Sequence, residues 1–482
     1  MEVELLKRQA TQGVMLLGLR RILLQVILTI SNIILARLLY PRIFGTFTIL
    51  YGIVTLSAIF AGLGLSQALV QDKDEPGKER LQTIFTLNLA LSLIVVIIII
   101  LSAPYVYMFY RDQLGKEGIF YLRLLSLMVI FRGLKEISVI LLERKLDYVR
   151  IIIGEVLEMF ILQGVTIILA LTGLGVLAFI IGMLVSNLMA FFIFFILAPW
   201  PIGLRFNWQP IKRLLSIGLN FQANTFIGGV NAAIIPFFIG KVSGSSAVGY
   251  LNWAGGLATF TRIIAELLGR VIFPVCARIQ NNQKLTGRII EKSIQISCLT
   301  TFPLAAILIA LARPVAYLIY TAKWLPGVPA LSLMCLQSIF LVIGLILTQT
   351  LLALGQARTV RNVSLFWAIL QWLLTIPLVI KFGFTGMAVA GVLVSATFFI
   401  PLKFLRQKVK IEIASHIWPY FVYSLITGGV VFILNYNYPA KRIVDLVLMA
   451  GFGGFVYLSL VFSFKRRSVN EDWLLLKRIL VK

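Results

Sequence analysis

Long apolar stretches follow one another along nearly the whole chain, and they restrict what it can fold into. An α-helix of about 20 apolar residues crosses a bilayer, and windows of this length predict about fourteen spans. Hydrophobic residues make up 60% of the 482 residues and charged residues 13%, unlike a soluble globular protein. The stretches do not alternate and are too long for the strands of an outer-membrane barrel. We therefore predict an all-α polytopic membrane protein.

Weak internal matches indicate that the spans form two related halves. Residues 36–45 (ARLLYPRIFG) and 240–249 (GKVSGSSAVG) share a basic second residue and a final glycine. Residues 182–186 (GMLVS) also match residues 391–395 (GVLVS). Paired repeats that enclose a central site are common in secondary transporters. We predict two six-helix repeats of parallel topology: an N-terminal lobe (1–197), an interfacial linker (198–212), a C-terminal lobe (213–406), an additional helix pair (407–464) and an amphipathic cytoplasmic tail (465–482).

The linker and the tail each carry interfacial residues. Three prolines and two tryptophans lie in the linker, and we expect Trp200 and Trp208 at the level of the lipid headgroups. In the tail, Trp473, Leu476 and Leu480 are interspersed with bases, which predicts a helix on the anionic cytoplasmic leaflet. Simple anchoring is favoured there over a lipid-specific role.

The net charge of +25 comes from 44 Lys and Arg against 19 Asp and Glu. In a soluble protein such a value would suggest a nucleic-acid partner, but cytoplasmic loops of membrane proteins are rich in Lys and Arg. When both termini are placed inside, bases on the inner side outnumber those on the outer side by more than about two to one. We predict cytoplasmic termini and no nucleic-acid partner. The charged start lacks a small-residue cleavage pattern, so no cleaved signal peptide is expected.

Few residues offer chemistry of the kinds that enzymes use. Cys276, Cys298 and Cys335 have no paired spacing, and His416 is the single histidine, so we predict no metal site and no disulfide framework. A nucleotide-binding G-x-x-x-x-G-K-[ST] motif does not occur, and the predicted external loops are short. We therefore predict no catalytic residues and no bound cofactor.

Charged residues inside an apolar span are the strongest functional signal. The span at residues 249–274 carries Arg262, Glu266 and Arg270, four residues apart, which share one helix face over about 12 Å. One interpretation is a structural ladder of i,i+4 pairs. The other is the wall of a polar cavity for an anionic substrate, which the positive excess and the usual role of intramembrane charges favour.

Three other spans carry polar faces. Arg21 begins a polar stripe in the first span, and we favour it over Arg20 as the interior residue, with snorkelling of both as the alternative. The fourth span holds Arg132, Lys135 and Glu136, where an Arg132/Glu136 pair would leave Lys135 unmatched. Glu155 and Glu158 of the fifth span are expected to neutralise neighbouring bases. The seventh span aligns polar residues on one face, namely Asn220, Asn224 and Asn231.

Together these faces predict a cavity that binds a pyrophosphate-linked, hydroxyl-rich substrate, because Arg makes bidentate bonds to phosphate and stays charged. Arg262 is the strongest single candidate. Glu266 and Glu136 are the candidates for coupling to H⁺ or Na⁺, since burial and neighbouring bases act on their protonation in opposite directions. The predicted binding residues are Arg262, Arg270, Arg21, Arg132, Lys135, Asn224 and Asn231.

Several motifs, in order along the chain, resemble the polysaccharide flippases, the Wzx-type O-antigen and exopolysaccharide transporters of the MATE-like superfamily. The similarity covers nearly the whole chain, and the motifs are individually loose but specific in order and spacing. They are residues 35–47 (LARLLYPRIFGTF), 239–244 (IGKVSG), 248–250 (VGY), 271–278 (VIFPVCAR), 323–329 (KWLPGVP) and 351–356 (LLALGQ). Where many relatives have a polar residue before the Ile-Gly-Lys motif, this chain reads Ile234-Ile235-Pro236.

The resemblance implies a fourteen-helix, two-lobed exporter in a bacterial or archaeal cytoplasmic membrane. It would move undecaprenyl-pyrophosphate-linked oligosaccharide by alternating access, with membrane lipids and polysaccharide polymerase or export machinery as partners. Two alternatives stay open: a cation-coupled multidrug or small-molecule antiporter of the same superfamily, and a membrane-embedded polymerase or ligase. The short loops argue against the last.

Overall fold

The computed structural model describes residues 20–21, 23–62, 64–71, 75–208, 212, 215, 218, 222, 228–229 and 236–480. The chain divides into two compact units, residues 1–249 and 250–482. The helices of the first unit are α1 Leu23–Leu38, α2 Pro41–Gly62, α3 Leu65–Gln71, α4 Lys78–Tyr110, α5 Gly118–Ser126, α6 Met128–Arg144, α7 Tyr148–Leu171 and α8 Val176–Leu197. Helix α9, Ser245–Ile279, contains the division.

The second unit is also helical. Its helices are α10 Gln283–Ala310, α11 Val328–Ala353, α12 Ala357–Phe382, α13 Thr385–Ala396, α14 Phe399–Arg406, α15 Ala414–Asn437 and α16 Ile443–Leu480. Short π and 3₁₀ turns, Val315–Tyr320 and Ala322–Gly327, lead into α11. Within the described ranges, ten helical segments are long and apolar enough to cross a membrane. This is a polytopic membrane protein; the count of fourteen spans and the repeat stay predictions.

The predicted fourth span is divided into two helices. The N–H group of Leu127 donates to the carbonyl of Leu124, three residues back, so the backbone tightens there to a 3₁₀ turn. This turn separates α5 from α6, whereas the hydropathy profile indicated one continuous span. Arg132, Lys135 and Glu136 all lie on α6, whereas α5 carries one charged residue, Arg123.

Trp200 is buried in the first unit, a packing role that the sequence did not indicate, and its predicted level at the headgroups stays a prediction. Its side chain is 5% exposed and packs edge-on against Phe85 of α4, with ring centroids 5.1 Å apart. The same cluster includes Leu65 of α3 and Ile137 of α6. Trp208, which is 55% exposed, lies at a surface. The beginning of the linker is therefore part of the hydrophobic core.

Two glycines from the matching segments meet in the first unit. A Cβ atom on Gly45 would overlap the carbonyl oxygen of Ser245, and one on Gly249 would overlap the carbonyl oxygen of Pro41. The contact is reciprocal, because Pro41 and Gly45 correspond to Ser245 and Gly249 in the predicted repeat. Only glycine lets the first turns of α2 and α9 approach this closely.

In the second unit, α9 packs along α11. Positions for a Cβ on Gly255 and on Gly269 lie 3.7 Å from Met334 and 3.2 Å from Leu345, respectively. Arg262 is midway between these glycines at seven-residue intervals, so it belongs to the same helix stripe. Trp324, in the motif at residues 323–329, is fully buried with its ring centroid 5.6 Å from that of Trp253. The motif therefore has a packing role at the first turns of α11.

The predicted tail and the last apolar segment form one continuous helix. Helix α16 continues without a break from Ile443 to Leu480, and its apolar part ends near Phe464. The position of the tail on a leaflet stays a prediction.

Candidate functional site

Lys135 of α6 is neutralised across the helix interface. Its Nζ donates to both carboxylate oxygens of Glu158 on α7, at 2.5 and 2.6 Å, and the side chains are 18% and 20% exposed. The prediction that Lys135 is an unmatched charge is therefore wrong. The expectation that Glu158 neutralises a neighbouring base is confirmed. The i,i+4 spacing within one helix could not predict this pair, because the partner of Lys135 lies on another helix.

Glu136 is held by neutral donors. The hydroxyl of Ser66 on α3 donates to Oε1, and Nδ2 of Asn88 on α4 donates to Oε2 at 3.2 Å. Arg132 is exposed, and no ion pair joins it to Glu136 in the described structure. The predicted close ion pair between Arg132 and Glu136 is thus not formed, and the charge of Arg132 acts on Glu136 only at longer range. The half-buried carboxylate of Glu136 accepts its hydrogen bonds from the interior, which offsets its desolvation.

Arg20 forms the second ion pair of this region. Its Nη2 donates to Oε1 of Glu155 at 2.5 Å, which confirms the neutralising role predicted for Glu155. Sequence reasoning favoured Arg21 for the interior. Arg21 is half-buried and also has an interaction partner, so both arginines are engaged. Glu155 and Glu158 are three residues apart on α7 and together neutralise Arg20 and Lys135.

The charges of the first unit are consequently more balanced than the sequence indicated. Two of its intramembrane bases are in ion pairs with acids, which offsets the desolvation of both partners. Ser66 and Asn88 were missed as polar interior residues. Asn88 had a readable signal, because Asn88 and Ser92 are polar at i,i+4 spacing within the apolar run of α4, and both are buried.

In the second unit, Arg262 is positioned by its own helix. Its Nε donates to Oε1 of Glu266 at 3.1 Å, and its Nη2 donates to the hydroxyl of Thr259 at 3.1 Å. Both charged side chains are 24% exposed. Among the described residues, its Nη1 has no partner, so the guanidinium keeps N–H donors for a ligand.

The structural ladder is only half formed. Arg270 is exposed, and it forms no ion pair with Glu266 in the parts of the chain that are described. The charged face of α9 therefore carries two bases, Arg262 and Arg270, with one acid, Glu266, and a third base of this helix, Arg278, lies in its last turn. Asn220, Asn224 and Asn231 lie outside the described residues.

The described residues contain no group of three or more His, Cys, Asp or Glu arranged to hold a metal ion. The three cysteines are buried and reduced.

A comparison with protein families decides the affiliation. Residues 34–329 match the model of the family described as "Polysaccharide biosynthesis protein". The chain belongs to this family. The match begins within α1 and extends past α9, so it covers α6 and α7 with Lys135, Glu155 and Glu158, and the helix with Arg262, but not Arg20.

Members of the wider group are distant in sequence. The chain is 22% identical over 307 residues to the succinoglycan biosynthesis transport protein ExoT of Rhizobium meliloti, with 63% of this chain and 61% of ExoT covered. It thus spans about three fifths of that relative. It is 23% identical to the probable low-salt glycan biosynthesis flippase Agl15 of Haloferax volcanii, over 88% of this chain and 89% of Agl15.

The fold is shared with a solved transporter. The lipid II flippase MurJ, in an inward closed conformation, superposes with a TM-score of 0.76 over 94% of this chain and all of MurJ. The sequence identity is 17%, so this likeness concerns the fold alone. The resemblance of the motifs to polysaccharide flippases is confirmed by the family match and these relatives.

Proposed function

We propose that the chain is a flippase that translocates undecaprenyl-pyrophosphate-linked oligosaccharide repeat units across the cytoplasmic membrane by alternating access. One observation carries the proposal. The guanidinium of Arg262 is fixed by Glu266 and Thr259 within an apolar helix, yet it retains donors for a ligand. A planar, permanently charged donor of this kind suits phosphate oxygens in a site of low dielectric.

The named relatives support the general activity. ExoT is named as a transport protein and Agl15 as a probable glycan flippase, and neither name describes an enzyme. The pyrophosphate linkage is inferred from the chemistry of Arg262 and Arg270. The pairing of Glu155, Glu158 and Glu266 with bases argues against a cation antiporter, since such a site needs acids available to the cation.

We assign ion coupling, to H⁺ or Na⁺, to Glu136 before Glu266. Glu136 accepts bonds from a hydroxyl and an amide, whereas Glu266 is paired with Arg262. A carboxyl group held by neutral donors can lose its charge without leaving a base uncompensated. Both termini are assigned to the cytoplasm, and polysaccharide polymerase or export machinery is the expected partner on the outer side.

The test uses a strain whose surface polysaccharide depends on this chain. The gene is deleted, and the parental or a variant gene is then reintroduced. Arg262→Gln should leave precursor on the inner leaflet and reduce surface polymer. Arg278→Gln is the matched control, because Arg278 is an exposed base on the same helix. Normal polymer with Arg262→Gln would overturn the site assignment. Altered drug sensitivity with unchanged polymer in the deletion strain would instead support the antiporter.

A further inference from the structure

We propose that a cavity at one end of the first unit binds the oxyanion of a ligand about the size of one sugar residue. The cavity has a volume of about 310 Å³, near the lower end of small-molecule sites. It lies where α2, α5 and α8 begin, and it is distinct from the ion pairs on α6 and α7. Its polar lining is formed by Arg42, Thr46, Gln113, Lys116, Glu117 and Tyr121.

Charge favours an anion at this position. The lining holds two bases, Arg42 and Lys116, against one acid, Glu117. The hydroxyl of Tyr121 donates to the Glu117 carboxylate, which satisfies part of that acid within the cavity wall. Arg42 has another interaction partner and contributes its charge to the cavity. Lys116 is exposed on the rim and can reach a ligand as a flexible point charge.

Helix N-termini add to the positive potential. Helix α2 begins at Pro41, α5 at Gly118 and α8 at Val176, and each contributes a residue at or next to its first turn to the lining. Neither α5 nor α8 has a side-chain hydrogen bond at its N-cap. Several of their first-turn N–H groups donate to backbone carbonyls instead, as Gly118 does to Gly115 and Ala178 to Gly175. These ends therefore contribute the potential of their aligned peptide dipoles, which favours negative charge, and not a set of free donors.

Gln113 makes the cavity a preformed one. Its backbone carbonyl accepts from the hydroxyl of Thr46 on α2 at 3.0 Å, and its Oε1 accepts from the N–H group of Ser245 on α9 at 3.0 Å. The loop between α4 and α5 is thus tied to two helices. Gly115, at a φ of 72°, supplies the left-handed residue that turns this loop. Within the described parts of the chain Nε2 of Gln113 makes no hydrogen bond, and Gln113 and Lys116 line the same cavity.

The lining suits a carboxylate or phosphate group with hydroxyls around it. Lysine and arginine supply charge-assisted bonds to the oxyanion, while the amide, the hydroxyls and the Tyr121 ring suit a sugar. The source of this ligand rests on the proposed function: an acidic sugar of the transported glycan, on the predicted outer side. The phosphate of a membrane lipid has the same oxyanion chemistry.

The test is a titration of the purified full chain in nanodiscs of zwitterionic lipid, followed by ligand-observed NMR. Glucuronate should bind, and methyl glucoside, which lacks the carboxylate, should bind at least about tenfold more weakly. Lys116→Gln should weaken glucuronate binding about tenfold, whereas Arg111→Gln, an exposed base on the same loop, should leave it unchanged. Equal binding of both sugars, or full binding by Lys116→Gln, would overturn the proposal.

A second variant guards against misfolding. Gln113→Glu keeps an acceptor for the Ser245 N–H group but places negative charge in the cavity, so binding should be lost while the elution profile and melting temperature are retained. Retained binding by a folded Gln113→Glu protein would contradict the proposal.

Two further arms identify the source. Glucuronate binding that is reduced both by added inorganic phosphate and by phosphatidylglycerol in the nanodisc would support the oxyanion site and assign it to lipid. Glucuronate binding that is reduced by phosphate but not by phosphatidylglycerol would support the sugar acid as the ligand. Arg262→Gln should not change this binding, so a failure of the flippase assignment and a failure of this site give different results.

Discussion

Replacing Arg262 tests the central chemistry in a reconstituted system. Arg262→Gln keeps a hydrogen-bonding side chain near Thr259 but removes the charge and the planar fork. Hydrogen bonds to charged groups contribute about 1.5 to 3 kcal/mol. Because about 1.4 kcal/mol corresponds to a factor of ten, we expect the initial transport rate at subsaturating substrate to fall roughly 10- to 100-fold.

Stability should change far less than transport. The Arg262/Glu266 pair is an i,i+4 pair whose side chains are each about a quarter exposed. Such pairs contribute roughly 0.3 to 0.5 kcal/mol, so its loss should barely alter the melting temperature. Arg262→Lys should give an intermediate rate, since it keeps the charge but not the bidentate geometry.

The assay uses proteoliposomes with a fluorescent polyprenyl-pyrophosphate oligosaccharide and a membrane-impermeant quencher. The fraction quenched over time reports the arrival of substrate in the outer leaflet. Arg278→Gln is the charge-matched control on the same helix, and it should transport at the parental rate. A folded Arg262→Gln protein with the parental rate, or an equal loss in both variants, would refute the phosphate-binding role of Arg262.

Three further predictions concern the interior. Lys135→Met should lower the free energy of unfolding by about 2 kcal/mol, which is less than the loss expected for a fully buried pair. The double variant Lys135→Met/Glu158→Met should recover most of this stability, as measured by melting in detergent. A double variant as unstable as the single one would contradict the role of the pair. Gly45→Ala should reduce folded yield sharply because its Cβ would overlap a carbonyl oxygen, whereas Gly62→Ala on the same helix has open space and should not; equal yields would contradict the close contact. Glu136→Gln retains hydrogen-bonding capacity but cannot ionise, so transport should lose its response to an imposed H⁺ or Na⁺ gradient. An unchanged response would exclude Glu136 from coupling.

Hydropathy predicted the class of the protein because a bilayer imposes helix length on the sequence directly. The charged face of α9 was also predictable, since i,i+4 spacing fixes which residues share a face. The partner of each charge was not. Lys135 is paired with an acid 23 positions away, and Glu136 with donors on α3 and α4, so tertiary packing decided both. Trp200 is buried for the same reason: the linker folds back onto α4, which no local pattern indicates.

The unbroken course of α16 sets a distance that can be measured. At a rise of about 1.5 Å per residue, its 38 residues extend for roughly 57 Å, almost twice the roughly 30 Å of a hydrocarbon core. A helix of that length cannot be contained in the bilayer, and without a bend its free end follows the tilt of the span. The distance of a fluorophore fused near the end of α16 from the membrane surface therefore depends on the tilt of the last span. Energy transfer from this fluorophore to a labelled membrane surface would measure that distance.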